Sequence, residues 1–402
     1  MTIHSVATVR PWNDLKTGVA PDKRCAGQRG RVGPVGAHPE GRGTGGELRP
    51  SLGVTAKSDA PEELDGGHLG PVVAPPGVSA AARLTGRTPI VELSKLALGA
   101  RHRLLAKCEF LNPTGSVKDR IGHHILDSAE RRGLITPGLS TLVEATAGNT
   151  GAALAAAAAG RYGLVVTMST KMGSEKEAMM RSWGAQVVRC PYEVPPESSD
   201  SFINTARRIA GEVPAGYYVD QFNTGWNAEA HELTTGPEIY QQTGGEVAAF
   251  VCGVGTGGTF TGVGRYLRRM GSEAELVAAD PVGSILAGLV AGRKEPARPY
   301  LIEGIGGDFL PGQLDLGLVS AAVSVPDRES VQMCLRLQRQ EGISVGGSSG
   351  CALVVALRLA HTLPGPAGNV VVLLADAGTR YASTIFDAGW RAAHDLDGEL
   401  MV

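Results

Sequence analysis

The chain contains 402 residues, of which 43% are hydrophobic, and its 38 basic and 40 acidic side chains give a net charge of −2. At roughly 150 residues per domain, this length accommodates about two domains. The small net charge is not typical of a protein that binds nucleic acid or an anionic membrane. No apolar run approaches the ~20 residues of a membrane span, and residues 1–16 lack the apolar core of a secretory signal. We therefore expect a cytoplasmic protein.

Residues 1–80 differ in composition from the rest of the chain. They contain 14 glycines and 9 prolines, and only 15 of the 80 are Leu, Ile, Val or Phe. A segment this poor in apolar side chains cannot bury a core, so it predicts a disordered N-terminal extension. Cys25 and His38 lie in this segment without a predicted fold around them, and we predict no metal or haem site there. The six cysteines form no CxxC pair, as is typical of a reduced protein.

From about residue 85, short β-branched runs alternate with longer helical patterns, which predicts an α/β architecture. The predicted strands are 141–144, 164–168, 186–189, 217–220, 248–254, 276–280 and 370–375, all buried and parallel. The predicted helices are 118–132, 151–161, 174–183, 201–209, 230–242, 259–270 and 330–340. The predicted strands are too many for one small sheet, so we expect two α/β lobes with a cleft between them.

The turn-rich loop 112–117 delivers Lys118 to the start of a predicted helix. The positive end of the helix dipole disfavours the ammonium form of this lysine, and burial would lower its pKa further. A neutral amine is the form that Schiff-base chemistry requires. For this motif alone, an exposed lysine that extends along the helix is the simpler explanation.

Residues 144–151, Glu-Ala-Thr-Ala-Gly-Asn-Thr-Gly, lie between a predicted strand and an alanine-rich helix. Backbone N–H groups at a helix N-terminus suit an anion such as a carboxylate. Asn149 can donate or accept a hydrogen bond beside that anion. A helix cap made by Asn or Thr explains the loop equally well.

Closely spaced glycines occupy residues 253–259, Gly-Val-Gly-Thr-Gly-Gly-Thr, between a predicted strand and a predicted helix. This spacing lets the backbone surround a phosphate. The run lacks the Lys-Ser/Thr ending of a nucleoside triphosphate loop and the spacing and acidic partner of a dinucleotide site. It favours a monophosphate over a turn that serves only strand–helix packing.

The loop 346–350, Gly-Gly-Ser-Ser-Gly, would let a flat ring approach the backbone while a serine hydroxyl bonds a ring nitrogen. A helix cap is an equal alternative for this loop. The four motifs are more specific together than singly. An amine, an anion loop, a phosphate loop and a hydroxyl among small residues are what pyridoxal phosphate (PLP) and an amino-acid substrate require.

The same motifs resemble the cysteine synthase and cystathionine β-synthase family of PLP enzymes, fold type II, over about residues 85–391. The resemblance implies two α/β three-layer lobes with the active site in the cleft. The smaller, mobile lobe would be 120–224, and the larger, PLP-binding lobe would be 81–119 with 225–395. It also implies a homodimer. The motifs are NPTGSVKDR (112–120), TAGNTG (146–151), TTGPEI (234–239), GTGGT (255–259), GGSSG (346–350) and RYAST (380–384).

The resemblance implies a role for each matching residue. Lys118 would form the internal aldimine and move the α-proton, Asn149 would bond the 3′-oxygen of the cofactor, and Ser348 would face its ring nitrogen. The cofactor phosphate would be bound by Gly255, Thr256, Gly257, Gly258 and Thr259. The substrate would be contacted by Thr146, Ala147, Gly148, Thr150, Gln221 and Gly304.

The implied activity is β-replacement on a serine-type amino acid (O-acetylserine, O-phosphoserine or serine), in which a small nucleophile adds to an aminoacrylate intermediate. No metal, nucleic-acid or membrane partner is implied. Ala147 stands where the family usually has serine, and Ala375 and Ala377 stand where it commonly has proline and serine. We therefore expect specialisation in the donor or the nucleophile.

Two other functions stay open. A β-elimination enzyme, such as a serine or threonine dehydratase or a cysteine lyase, would release its keto acid without a nucleophile. The SVKDR and TTGPEI contexts favour a synthase. A non-catalytic scaffold relative is compatible with Ala147, but the presence of Lys118 and the phosphate loop argues against it.

Overall fold

The computed structural model describes residues 79–146, 148–170, 174–191, 193–195 and 197–398. The predictions for the N-terminal extension, for Cys25 and His38, and for Ala147 therefore lie outside the described residues. In the described part of the chain, ten strands form two sheets and twelve α-helices accompany them. The predicted α/β class with two lobes is confirmed.

Strands and helices alternate along most of the described chain. The strands are β1 (Ile90–Glu92), β2 (Arg103–Cys108), β3 (Thr141–Ala145), β4 (Gly163–Ser169), β5 (Gln186–Cys190), β6 (Gly216–Tyr218), β7 (Val247–Gly253), β8 (Glu275–Pro281), β9 (Ala321–Val325) and β10 (Asn369–Leu374). The helices are α1 (Ala80–Leu84), α2 (Lys118–Arg131), α3 (Asn149–Ala158), α4 (Ser174–Ser182), α5 (Phe202–Glu212), α6 (Gly225–Leu233), α7 (Thr235–Gln242), α8 (Gly258–Arg269), α9 (Leu286–Val290), α10 (Asp327–Glu341), α11 (Gly347–Thr362) and α12 (Ala388–Ala393).

The larger sheet has the strand order β1-β2-β10-β7-β8-β9, and its neighbouring strands are parallel except for β1 and β2. All six residues of β10, in the middle of this sheet, are buried. Val370 and Val372 pack on one face with apolar residues of α11, whereas Val371 and Leu373 pack on the other face with those of α8. Both faces are covered, as the continuous apolar sequence of this strand predicts.

The smaller sheet is entirely parallel, with the order β5-β4-β3-β6. Leu142 packs on one face with apolar residues of α2 and α3, and Val143 packs on the other face with Ala206 of α5. The alanine-rich α3 lies close to α2, because a Cβ at Gly122 would be 3.0 Å from the backbone of Ala153. Small side chains therefore set the distance between these two helices.

The predicted elements differ from the observed ones in several places, and the short helices α1, α9 and α12 are not predicted. The sequence does not predict β1, β2 and β9, and the edge strand β6 is half-buried rather than buried. The single predicted helix 230–242 is wrong, because the chain forms α6 and α7 with a break at Thr234 (φ −128°, ψ −66°). Pro237 lacks the N–H that would bond the carbonyl of Leu233 in a continuous helix. No described helix has the length and apolar character that crossing a membrane requires.

Candidate active site

A cavity of about 800 Å³ is lined by residues of both lobes. It collects residues that follow the carboxyl ends of β3, β7 and β10, the edge at which parallel α/β sheets bind ligands. Of the predicted site residues, Gly258 does not line the cavity and Ala147 lies outside the described residues. The cavity brings together the others, which are Lys118, Thr146, Gly148, Asn149, Thr150, Gln221, Gly255, Thr256, Gly257, Thr259, Gly304 and Ser348.

Lys118 begins α2 and borders the cavity, so its side chain keeps a partial exposure. Burial lowers the pKa of its amine, while the Asp376 carboxylate and, to a smaller extent, the Cys252 thiol act in the opposite direction. The backbone before the lysine is fixed, because Val117 N donates to the carbonyl of Ala375 (2.8 Å). The geometry therefore holds one weakly basic amine at the cavity wall, at the positive end of a helix.

The loop after β3 is organised by hydrogen bonds from its own residues and from Gln221. Gly148 adopts φ +150°, a conformation that favours glycine, and its N–H donates to Thr146 Oγ1 (3.3 Å). The hydroxyl of Thr150 donates to Gln221 Oε1 (2.6 Å), and Gln221 Nε2 donates to the carbonyl of Ala145 (3.1 Å). Because α3 begins at Asn149, its first N–H groups have no acceptor within the helix and can bind an anion.

The loop before α8 requires its glycines. A Cβ at Gly255 would lie 2.2 Å from the carbonyl oxygen of Gly304, and a Cβ at Gly258 would lie 1.9 Å from Asn227 Oδ1. Gly257 has the left-handed φ of +83°. The glycines thus let the loop pack closely against its neighbours while Gly255, Thr256 and Gly257 line the cavity at the N-terminus of a twelve-residue helix, which is the arrangement that binds a phosphate.

Two threonine hydroxyls of this glycine loop are held in place from α6. Asn227 Nδ2 donates to Thr256 Oγ1 (3.0 Å), and Thr259 Oγ1 lies 3.1 Å from Nε2 of His231. His231 is fully buried, and burial lowers the pKa of its imidazole well below the usual value. The imidazole is therefore neutral, and it orients a hydroxyl without bringing a charge to the site.

Ser348 lies in the first turn of α11, is 6% exposed and lines the cavity. The next residue, Ser349, accepts a hydrogen bond from the N–H of Ala375 (2.9 Å), so α11 is held against the end of β10. Ala375 also lines the cavity. Ser348 and Ala375 thus place a hydroxyl and a small side chain at the wall of the same cavity.

The sequence does not single out three charged groups of the site. Asp376 lies two residues after the end of β10 and accepts a hydrogen bond from Asn149, and Lys176 of α4 forms an ion pair with Glu303. An acidic residue at the carboxyl end of a buried parallel strand is a signal that could have identified Asp376. The pairing of Lys176 with Glu303 has no local signal, because 127 positions separate the two residues. Among the described residues, no three His, Cys, Asp or Glu side chains lie together as a metal site would require.

Comparisons with known proteins agree with this site. Residues 81–376 match the family model described as pyridoxal-phosphate dependent enzyme. The chain is 41% identical to cysteine synthase A of Salmonella typhi over 304 residues, covering 74% of this chain and 92% of that protein. It is 38% identical to cystathionine beta-synthase of Apis mellifera over 308 residues, covering 76% of this chain but only 60% of that protein. The crystal structure of O-ureido-L-serine synthase aligns with a TM-score of 0.70 and 33% identity, covering 79% of this chain and 98% of that chain.

The two parallel sheets and the cavity between their lobes define a fold type II enzyme of the PLP-dependent class. The chain belongs to the family of pyridoxal-phosphate dependent enzymes to which cysteine synthase A and cystathionine beta-synthase belong. The predicted family is confirmed.

The residues of the cavity fit the cofactor that this family is named for. Residues of the glycine loop line the cavity, and the first turn of α8 offers N–H groups to a phosphate. Lys118 offers the amine and Ser348 offers a hydroxyl beside small residues. These three groups line one cavity, so a single bound molecule can contact all of them.

Proposed function

We propose that the protein catalyses β-replacement on a serine-type amino acid, either O-acetylserine, O-phosphoserine or serine, with PLP as cofactor. The observation that carries the proposal is that the amine of Lys118 borders the same cavity as the glycine loop 255–259 and the hydroxyl of Ser348. When bound, PLP supplies an electron sink for the bonds at the α-carbon of an amino acid. Lys118 would hold its aldehyde end, the glycine loop its phosphate and Asn149 its ring oxygen.

Lys118 is suited to move the proton at the α-carbon of the substrate. Because burial lowers the pKa of its amine, a larger fraction of this amine is neutral near pH 7 than for an exposed lysine. Only the neutral amine accepts a proton, and the resulting ammonium can return it to the product. One residue therefore serves as base and then as acid while the β-substituent is exchanged.

The loop after β3 is suited to hold the carboxylate of the amino acid. Thr146 and Thr150 line the cavity together with the start of α3, so the hydroxyl of Thr146 and the first N–H groups of that helix can donate to the carboxylate. The hydroxyl of Thr150 donates its hydrogen to Gln221, so the contribution of Gln221 is to hold this loop in place. A substrate fixed by its carboxylate presents its α-carbon to Lys118 in one orientation, which is the main requirement for selective proton removal.

Ser348 favours replacement over transamination. A neutral hydroxyl does not hold a proton on the ring nitrogen as a carboxylate would. The cofactor then withdraws electrons less strongly, and side reactions that need a long-lived negative charge at the α-carbon are disfavoured.

The proposal is tested by incubating the PLP-loaded protein with each of the three donors and with sulfide, a thiol amino acid or an N-hydroxy compound, and by identifying products by mass spectrometry. We expect a β-substituted alanine whose formation depends on the nucleophile and is abolished by Lys118→Ala. A keto acid released at the same rate with and without nucleophile would instead assign β-elimination.

The specialisation of the enzyme is tested at Ala147. We expect the wild-type protein to use sulfide poorly compared with an organic nucleophile, and Ala147→Ser to raise the rate with sulfide. A hydrogen bond of this kind contributes about 0.5–1.5 kcal/mol, or roughly 2–13-fold in rate. A wild-type protein that already uses sulfide at its highest rate contradicts the specialisation.

The proposal extends to the assembly and to the lobes. We propose a cytoplasmic homodimer, as the family resemblance implies, and light scattering would then give twice the chain mass of 41.6 kDa. The lobe of residues 120–224 is proposed to move relative to the lobe of 81–119 with 225–395. Hydrogen exchange that is slowed in α4 on adding the amino-acid donor is the expected result.

A further inference from the structure

The carboxylate of Asp376 is built into the wall of the cavity. Its side chain is 1% exposed. It follows Ala375, whose carbonyl accepts the hydrogen bond from Val117, so the backbone that carries Asp376 lies beside the residue that precedes Lys118. A Cβ at Gly346 would lie 2.3 Å from Asp376 Oδ1. Only glycine at position 346 therefore leaves room for this carboxylate.

The hydrogen bonds of Asp376 determine the orientation of a neighbouring amide. Its Oδ2 accepts from Asn149 Nδ2 (2.8 Å) and from the hydroxyl of Tyr381 (2.7 Å). A carboxylate only accepts hydrogen bonds, so Asn149 must turn its nitrogen and not its oxygen towards Asp376. An amide nitrogen carries two hydrogens, and the bond to Asp376 uses one. The second remains available at the cavity that Asn149 lines.

We propose that Asp376 is a positioning residue for the cofactor, which fixes the amide of Asn149 so that its second N–H points to the ring oxygen of PLP. The inference rests on the proposed function for the identity of the cofactor, but not on β-replacement. Without Asp376, the amide of Asn149 can turn over and present its oxygen to the ring oxygen. Two acceptors would then face each other, and a hydrogen bond would be replaced by a repulsion.

The test is a double-mutant cycle between Asp376 and Asn149, read by the dissociation constant of PLP and by the absorption maximum of the bound cofactor. We expect Asp376→Ala and Asn149→Ala each to weaken PLP binding by about tenfold, the effect of one lost hydrogen bond of about 1.4 kcal/mol. We expect the double variant to bind within threefold of either single variant. All three should show a shift of the absorption maximum in the same direction, because the N–H at the ring oxygen is absent from the two variants at position 149 and is no longer fixed there in Asp376→Ala.

Two further variants separate orientation of the amide from general damage. Asp376→Asn keeps a carbonyl acceptor for Asn149 and should bind PLP within threefold of the wild type. Tyr381→Phe removes the other hydrogen bond to the same oxygen and should leave the coupling between Asp376 and Asn149 unchanged. Circular dichroism establishes that each variant is folded, and Asp376→Asn still tests the inference if Asp376→Ala does not fold.

Three results would overturn the inference. These are a double variant whose loss equals the product of the two single losses, an Asp376→Asn variant as weak as Asp376→Ala, and a coupling that disappears in Tyr381→Phe. A protein that binds no PLP at all would contradict the proposed function instead. PLP binding without β-replacement leaves the test of Asp376 fully informative.

Discussion

Lys176, on α4 of the smaller lobe, forms an ion pair with Glu303, on the loop of the larger lobe that lines the cavity. The two side chains are 14% and 32% exposed. The aliphatic part of the Lys176 side chain also lies over the loop after β3, because a Cβ at Gly148 would be 3.2 Å from its Cδ. One side chain therefore joins α4, the loop after β3 and the opposite lobe, and the ion pair stabilises the arrangement in which the lobes enclose the cavity.

We expect Lys176→Met to raise the KM for the amino-acid donor by about 2–5-fold with little change in kcat. A partly exposed ion pair contributes about 0.5–1 kcal/mol, and methionine keeps most of the apolar stem. Steady-state kinetics of Lys176→Met, Glu303→Gln and the double variant provide the measurement. The double variant should be no worse than either single variant, and independent, multiplying effects would show that the pair does not act as a unit.

We expect Gly255→Ala to lower the PLP content and to destabilise the protein by about 1–3 kcal/mol. The added methyl group would collide with the carbonyl of Gly304, 2.2 Å away, which is backbone and cannot turn aside. PLP absorbance per chain and urea unfolding are the measurements. Gly211→Ala is the matched control, since its Cβ would meet nothing within 4 Å and alanine favours its helix. Equal PLP content in both variants would argue against the phosphate site.

The sequence predicts most readily the strands that consist of an unbroken run of apolar residues. Residues 369–374, Asn-Val-Val-Val-Leu-Leu, are apolar on both faces of the strand apart from the first. Five of the six residues of β2 are buried as well, but Lys107 interrupts the apolar run, so the pattern does not predict this strand. This lysine is fully buried, and its amine is bonded to Glu238 (2.7 Å). The partner that makes the burial possible lies on α7, so no local pattern predicts it.

The same reasoning applies to the site. The glycines of 255–258 and the lysine at position 118 are visible in the sequence because each lies in a motif with its own chemistry. Asp376 cannot be recognised in this way, because its role depends on a hydrogen bond with Asn149, which is 227 positions away. The role of such a residue depends on which distant elements pack together, and the sequence alone does not specify that packing.

Glu144 predicts a distinct pH dependence of stability. Burial raises the pKa of this carboxyl from 4.5 to about 8, so the folded protein holds a proton that the unfolded chain releases. The free energy of unfolding must therefore fall as the pH rises from about 4.5 to about 8. Glu144→Gln removes this titration. In urea unfolding, we expect the free energy of unfolding of the variant, measured relative to that of the wild type, to rise by more than about 1 kcal/mol from pH 5 to pH 9. A difference that is independent of pH would contradict this assignment.

For Glu238 we expect a pH dependence of stability with the opposite sign: its contribution to the free energy of unfolding increases as the pH rises. It accepts hydrogen bonds from Arg120 (2.7 Å) and Lys107 (2.7 Å), two buried cations, and despite the opposing effect of burial they lower its pKa from 4.5 to about 2. Its contribution to stability is present above pH 4.5 and is lost as the pH falls towards 2. We expect Glu238→Gln to destabilise the protein by about 3–5 kcal/mol at pH 7, since it leaves buried charge uncompensated.

Urea unfolding at pH 7 and pH 4 measures this effect, and the cost of Glu238→Gln should shrink at the lower pH. Glu275→Gln serves as the control, because Glu275 is an exposed residue at the start of β8. A cost below 1 kcal/mol at pH 7 would show that the ion pairs of Glu238 with Arg120 and Lys107 do not stabilise the fold.

The central claim is that the amine of Lys118 is the covalent anchor of PLP. Borohydride reduction of the PLP-loaded protein, followed by proteolysis and peptide mass spectrometry, tests it directly. The account predicts one modified peptide, carrying a phosphopyridoxyl group on Lys118. A phosphopyridoxyl group on another lysine, or an unmodified Lys118 in protein that has retained the cofactor, would contradict it.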